Sequence, residues 1–429
     1  MKSFYVLLIS ILLNSYGKAQ EMEVAKKENN NQAILPGAEK LNVYLPLIKG
    51  KRIGIFANQT SRVGNIHLVD TLIKCGIHIS VIFGPEHGFR GNSDAGERIG
   101  NYIDEKTGIP VISLYGEKHR PSEEDLKNVD ILLFDIQDVG VRFYTYISSL
   151  EEFINAAFEA GKPLLILDRP NPNGFYVDGP ILEKKFRSFV GMQSVPVVYG
   201  MTIGEYAMMI AGEKWLTSKA NDRYSYYRHA KNSPPDTLFH FLIIKCSNYT
   251  HNSKYVLPVK PSPNLPEIQS IYWYPSTCFF EATVISEGRG TEKPFEIFGH
   301  PLFPKNMYQF IPKSVEGAKD PKLKGQVCYG WNVSGTQHDV LKKINKQIQI
   351  SYLLTAYSLF PDKIDFFIKP KKANPLPQDY GFNRLAGNDE LMRQIKEGKS
   401  EKEIRASWQP KLKAFKQIRK KYLLYPDFN

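Results

Sequence analysis

Apolar positions along the first half of the chain come as short, nearly continuous runs at residues 52–57, 77–83, 109–114, 129–136 and 163–168. Runs of that length read as strands buried on both faces, as in a parallel sheet. Between them the spacing changes to a helical one, at 68–74, after Pro121 and most clearly at 146–160. There Ile147, Leu150, Phe153, Ile154, Ala157 and Phe158 fall on one face, and Gly161 stands where a helix C-cap belongs. A further helix is predicted from Ile203 to about Trp215, opened by Thr202 with Glu205 at capping-box spacing. Strands alternating with helices predict an α/β fold, a Rossmann-like, mostly parallel sheet with helices on both faces.

Beyond residue 216 the pattern breaks. Residues 216–240 are polar, and prolines at 258, 261, 263, 266 and 275 suit loops better than more parallel strands. The chain should therefore divide into a Rossmann-like domain at 41–235 and a smaller auxiliary α+β domain at 236–429. The auxiliary domain should end in a helix over 401–422, with Trp408, Leu412, Phe415 and Ile418 as its buried stripe.

The two ends and the charge refine this picture. Lys2, an apolar run over 4–13 and the small polar stretch to Ala19 read as a secretory signal peptide at 1–19, followed by a flexible leader at 20–40. The apolar run is shorter than the roughly 20 residues a membrane span needs, so no stable membrane insertion is expected and the protein should be exported, to the periplasm or beyond. Losing Lys2 and Lys18 takes the formal charge from +12 to +10. A basic exported protein is drawn to anionic wall polymers, and nothing here resembles a nucleic-acid module. Four scattered cysteines, Cys75, Cys246, Cys278 and Cys328, form no metal-ligand pattern. Export would permit a Cys278–Cys328 bridge, and buried free thiols would serve equally in a chain of this length.

A Rossmann-like sheet raises the question of a dinucleotide, which needs a glycine-rich turn after the first strand. The stretch Asn58-Gln59-Thr60-Ser61-Arg62-Val63-Gly64 lacks that spacing, and there is no P-loop, so NAD and FAD are excluded and no cofactor is expected. What the strand ends carry instead is charge: Glu86 and His87 after the second, Asp135 and Asp138 with Arg142, Tyr144 and Tyr146 after the fourth, and Asp168-Arg169 after the fifth. Each has a plain structural use, as a cap or a local ion pair with Arg142 or between neighbours. Exposed ion pairs contribute only about 0–1 kcal/mol, and three charged ends opening on the same side of a parallel sheet favour a cleft. Two later segments add to it, P-S-P-N-L-P with Asn264 and S-E-G-R-G-T with Glu287 and Arg289.

Taken together, F-G-P-E-H-G-F-R-G, F-D-I-Q-D-V-G-V-R-F-Y-T-Y, D-R-P-N-P-N-G, Y-G-M-T-I-G-E, P-S-P-N-L-P and S-E-G-R-G-T-E-K-P-F-E resemble the exo-acting β-N-acetylmuramidases of NamZ type, over roughly residues 40–425. The resemblance implies a Rossmann-like domain, an auxiliary C-terminal domain and an active cleft between them. It also implies release of N-acetylmuramic acid from the non-reducing ends of peptidoglycan fragments, with Glu86 as the acid. At Ala282 and Val284 the chain reads E-A-T-V where the family has E-G-T-N.

Glycosidic cleavage needs an acid for the leaving oxygen and a second carboxylate as nucleophile or base. His87 competes with Glu86 for the first role if Asp135 or Asp138 orients it. Asp135, Asp138 and Glu287 stay open for the second. Muramic acid carries a lactyl carboxylate, which an arginine grips through two parallel hydrogen bonds, and Arg90, Arg142 and Arg289 are the candidates. Tyr144 and Tyr146 would pack a sugar face. Two other readings are a non-catalytic wall-glycan binder and a metal-dependent hydrolase using His87, His119, Asp135 and Asp138, for which no H-x-H or H-E-x-x-H spacing exists.

Overall fold

In chain order the strands are β1 (Arg52–Ala57), β2 (Arg62–Val63), β3 (Ile66–His67), β4 (His78–Gly84), β5 (Tyr102–Ile103), β6 (Pro110–Ser113) and β7 (Ile131–Asp135). There follow β8 (Leu164–Leu167), β9 (Asp178–Ile181), β10 (Pro196–Val198), β11 (Phe241–Ile244), β12 (Ile297–His300), β13 (Tyr308–Phe310) and β14 (Cys328–Asn332). The structure is a computed structural model and describes residues 33–86, 88–91, 100–229 and 239–428. The proposed signal peptide lies outside the described residues, as do His87 and most of the leader.

Seven strands form the central sheet in the order β11-β8-β7-β1-β4-β6-β5, all parallel except β5 at one edge. Alternation along each strand sorts side chains between the two faces. Ile53, Ile55, Ala57, Ile131 and Leu133 pack beneath the helices Leu41–Ile48 and Leu68–Lys74, while Phe56, Leu132 and Phe134 face the helices Tyr146–Glu159 and Ile203–Gly212. Phe153 locks that second face, with its ring 5.2 Å from Phe56, 5.6 Å from Phe83 and 5.9 Å from Phe134. A fully buried phenylalanine contributes about 1.5–3 kcal/mol, so this cluster sets the position of the helix that carries Tyr146.

The capping box at Thr202 and Glu205 forms as expected. The helix it opens stops at Gly212, short of Trp215, because Lys214 turns into the left-handed region at φ 58°. The helix expected after Pro121 is instead a run of turns. Asp125 accepts hydrogen bonds from the Ser122 amide at 2.6 Å and its hydroxyl at 2.7 Å, closing a local loop that competes with helix formation. The region after 216 is also more regular than expected. It forms the helix Ser218–His229 and then β11, which pairs parallel to β8 and extends the sheet.

The C-terminal part is built on the antiparallel sheet β12-β14-β13 and a set of helices ending in Glu401–Lys420. It has no core of its own on the side facing the central sheet. Trp273, Phe280, Phe298, Phe382 and Trp408 belong to the same buried cluster as Phe134 and Phe153. In the last helix Trp408, Leu412 and Phe415 are buried as predicted, while Ile418 is only half-buried. All four cysteines are free thiols. No helix among the described residues is long and apolar enough to cross a membrane.

Candidate active site

The chain runs from β1 to β4 and β6 on one side, then returns to place β7 on the other side of β1. Ligands of open parallel sheets bind outside the carboxyl ends of the strands at such a reversal. Ala57 at the end of β1 is in register with Asp135 at the end of β7, so their following loops leave the sheet together, beside the Gly84-Pro85-Glu86 loop after β4.

Above these ends is a narrow cavity of about 60 Å³. Glu86, Tyr144, Tyr146, Asn264 and Arg289 line it, with Phe143, Tyr274 and Phe295 completing an aromatic wall. Five residues singled out in the sequence are thus brought together from four parts of the chain. Glu86 is the one carboxylate among the described lining residues.

The Tyr144 hydroxyl donates to the Pro261 carbonyl at 2.9 Å, and Asn58 Nδ2 donates to the Tyr146 hydroxyl at 2.9 Å. The aromatic pair, edge to face at 4.8 Å, is thereby tied to the P-S-P-N-L-P loop. Asn264 Nδ2 is anchored on the Gly317 carbonyl at 2.8 Å. Burial raises the pKa of both tyrosines, which keeps the hydroxyls neutral.

Arg289 enters from the C-terminal part on a loop that only glycine can form. Gly288 and Gly290 have φ of 83° and 81°, and a Cβ on them would lie 2.3 Å from the Ile297 carbonyl and 2.5 Å from that of Lys313. Arg289 Nη2 donates to Glu281 at 2.6 Å, and its Nε is 3.4 Å from Glu287. Lys322 lies 2.7 Å from Glu287, but its ammonium donates to the carbonyls of Phe280, Thr283 and Ile285, so it supplies charge there rather than a hydrogen bond. Glu287 acts on the pocket through the arginine it orients.

Tyr115 is the contributor that the sequence reading missed. It follows β6, and its hydroxyl donates to Glu86 Oε1 at 3.0 Å, fixing one carboxylate oxygen and turning the group within the pocket. β6 ends on the same side of the sheet as the charged strand ends, but a lone tyrosine there carries no charge to mark it.

The remaining expectations need correction. Asp135 does not reach the pocket: it is fully buried in a two-pronged ion pair with Arg169, at 2.6 and 2.8 Å. Burial opposes its charge, but paired geometry of this kind is that of two ions. Its partner is therefore not Arg142. Arg142 is itself buried and spans the molecule, donating to the carbonyls of Pro180 and Val195, each at 2.8 Å, and of Leu385 at 2.6 Å. Arg90 pairs with Asp104 at 2.8 Å, away from the lining. Asp168 accepts from Thr202, Gly204 and Tyr425 rather than pairing with Arg169. His119 stacks on Phe189 at 4.1 Å, and no metal-binding group of three His, Cys, Asp or Glu occurs among the described residues.

Asp138 is also internal. It accepts from the Tyr199 hydroxyl and, at 2.6 Å, from the Gly140 amide, and its Oδ1 has no partner among the described residues. Burial pushes its carboxyl up to about 7. Between its ordinary range near 4 and that value the folded state keeps a proton that the unfolded state releases, so this group's contribution to stability falls as pH rises from about 4 to about 7. Asp138→Asn, neutral throughout, should flatten that slope by up to about 1.4 kcal/mol per pH unit, read from urea midpoints at pH 4.5 and 7.5. An unchanged slope would show that Asp138 titrates alike in both states.

Fold and pocket together define an α/β protein with a Rossmann-like sheet whose reversal point carries an acid, aromatic walls and a fixed arginine. Family models described as exo-beta-N-acetylmuramidase NamZ, N-terminal and C-terminal, match residues 53–269 and 272–425, and the chain belongs to this family. It is 35% identical to the peptidoglycan beta-N-acetylmuramidase NamZ of Bacillus subtilis (strain 168), over 95% of this chain and 94% of that one. Two crystal structures of DUF1343 family proteins from Bacteroides fragilis share the fold. One has a TM-score of 0.78 at 43% identity, covering 92% of this chain and all of the other; the second has a TM-score of 0.72 at 26% identity, covering 91% and 99%.

Proposed function

We propose that this protein is an exo-acting glycoside hydrolase that releases N-acetylmuramic acid from the non-reducing end of peptidoglycan fragments. The observation that carries this reading is the meeting of Glu86 and Arg289 in one narrow aromatic pocket. Family membership and the Bacillus relative's activity support it. Glu86, held on one oxygen by Tyr115, delivers a proton to the leaving glycosidic oxygen while the hydroxyl of a water adds to the anomeric carbon, and that water's remaining proton restores the acid through solvent. Tyr144 and Tyr146 offer ring faces to the sugar. Arg289 receives the lactyl carboxylate, the group that separates muramic acid from glucosamine, and its two acidic neighbours preset the guanidinium orientation. A pocket this narrow, rather than a long groove, suits removal of terminal residues. The N-terminal stretch at 1–19 supports action outside the cytoplasm.

The test is a pair of chromogenic glycosides, one of N-acetylmuramic acid and one of N-acetylglucosamine. The protein should cleave the first and leave the second nearly untouched. Arg289→Ala should cut kcat/KM on the muramide by about 10- to 100-fold, the worth of a charge-assisted hydrogen bond, and change the glucosaminide rate little. Equal loss on both would remove Arg289 from lactyl recognition, and an inactive wild-type protein would end the hydrolase reading.

A further inference from the structure

A second and much larger cavity, about 730 Å³, lies next to the first. Gln59, Arg62, Ile66, Ile73, Lys74 and Arg90 contribute to its wall. The two hollows share a partition. Gln59 Nε2 donates to the Pro261 carbonyl at 3.1 Å, the oxygen that also accepts from Tyr144, and the next residue, Ser262, lines the Glu86 pocket. Arg90 stands four residues beyond Glu86 on the loop after β4.

The chemistry of the two spaces differs. The small one is aromatic; the large one is cationic with apolar patches. Arg90 and Lys106 are engaged with Asp104 and Asp70. Arg62 donates only to backbone, at Gln59 and Asn65, and among the described residues neither Arg62 nor Lys74 closes an ion pair. Ile66 and Ile73 stand 45% and 40% exposed in the same wall. A ligand matching this lining has apolar faces and carries at least one carboxylate.

An enzyme that takes one terminal sugar must let the rest of the glycan leave on the far side of the acid. We propose that the larger cavity receives this leaving portion and that Arg62 and Lys74 bind a carboxylate on it. This rests on the muramidase reading and adds the leaving-side substrate to it. The carboxylate belongs to the lactyl group of the next muramyl unit or, on peptide-bearing fragments, to the stem peptide, and the recognition chemistry is the same for both.

The test compares kcat/KM on three substrates: a peptide-free muramyl-glucosamine disaccharide, the peptide-free tetrasaccharide, and a tetrasaccharide whose inner muramyl unit carries a stem peptide. Wild-type protein should prefer the tetrasaccharide, the peptide-bearing fragment or both over the short disaccharide by about tenfold. Which of the two gains identifies the source of the carboxylate. In an Arg62→Gln/Lys74→Ala double variant the ratio should fall to about one. Because Arg62 also ties its own hairpin, Lys74→Glu, on an exposed helix end, provides a second reading and should lower the ratio severalfold. No preference in the wild type, or a ratio unaltered in both variants, overturns the proposal while leaving the muramidase reading intact. Absence of any cleavage of muramic glycosides fells both.

Discussion

Replacing Glu86 by glutamine should reduce turnover of a muramic acid chromogen by about 10²- to 10⁴-fold, the usual weight of a positioned general acid. Glutamine keeps the size of the side chain and can still accept the Tyr115 hydroxyl, and Glu86 is only half-buried, so the melting temperature should stay where it was. That combination separates lost chemistry from lost folding. It also separates an enzyme from a wall-binding protein of the same shape, which would keep its function. A variant within about tenfold of wild type would move the proton-delivery role elsewhere.

The second large effect concerns stability rather than turnover. Arg169→Met should lower folding stability by about 3–5 kcal/mol, because it leaves Asp135 charged and unpaired inside the sheet. Arg169→Lys should recover only part of this, since an ammonium cannot reproduce the two parallel hydrogen bonds at 2.6 and 2.8 Å. Substituting both partners, Asp135→Asn with Arg169→Met, should restore much of the loss. Urea midpoints measure all three, and a single variant as stable as wild type would show that Asp135 takes up a proton instead.

These two residues also show what could and could not be read from the chain. The sheet was legible because parallel strands buried on both faces have to be apolar along their length, as β7 and β8 are. The edge strand β11 was not, since its half-buried Phe241-Leu242-Ile243 stretch is brief and sits among polar and proline-rich neighbours. In the site, Glu86, Tyr144, Tyr146, Asn264 and Arg289 were recognisable as polar or aromatic residues that no strand or helix requires. Asp135, Asp138 and Arg142 looked the same and are not in the pocket. What distinguishes them is a partner far along the chain, Arg169 for Asp135 and the Leu385 carbonyl for Arg142, and partnership across such distances leaves no local pattern. Tyr115 was overlooked for the converse reason: a lone tyrosine after a strand is unremarkable until the carboxylate it meets is known.

Residues 419–425 complete the polar interior of the central sheet from far along the chain. The Leu424 amide donates to Glu205 at 2.7 Å, the Tyr425 hydroxyl donates to Asp168 at 2.5 Å and accepts from the Cys246 amide at 2.8 Å, and Arg419 donates to the Gly200 carbonyl at 2.8 Å. Residues far along the chain therefore satisfy buried polar groups at the end of β8 and at the start of the helix Ile203–Gly212. Asp168 keeps Thr202 and Gly204, and Glu205 keeps Thr202 and His251, but without residues 419–425 each acid loses one of its partners. A fragment ending before residue 419 would therefore be a Rossmann-like half with under-satisfied buried acids rather than an independent module.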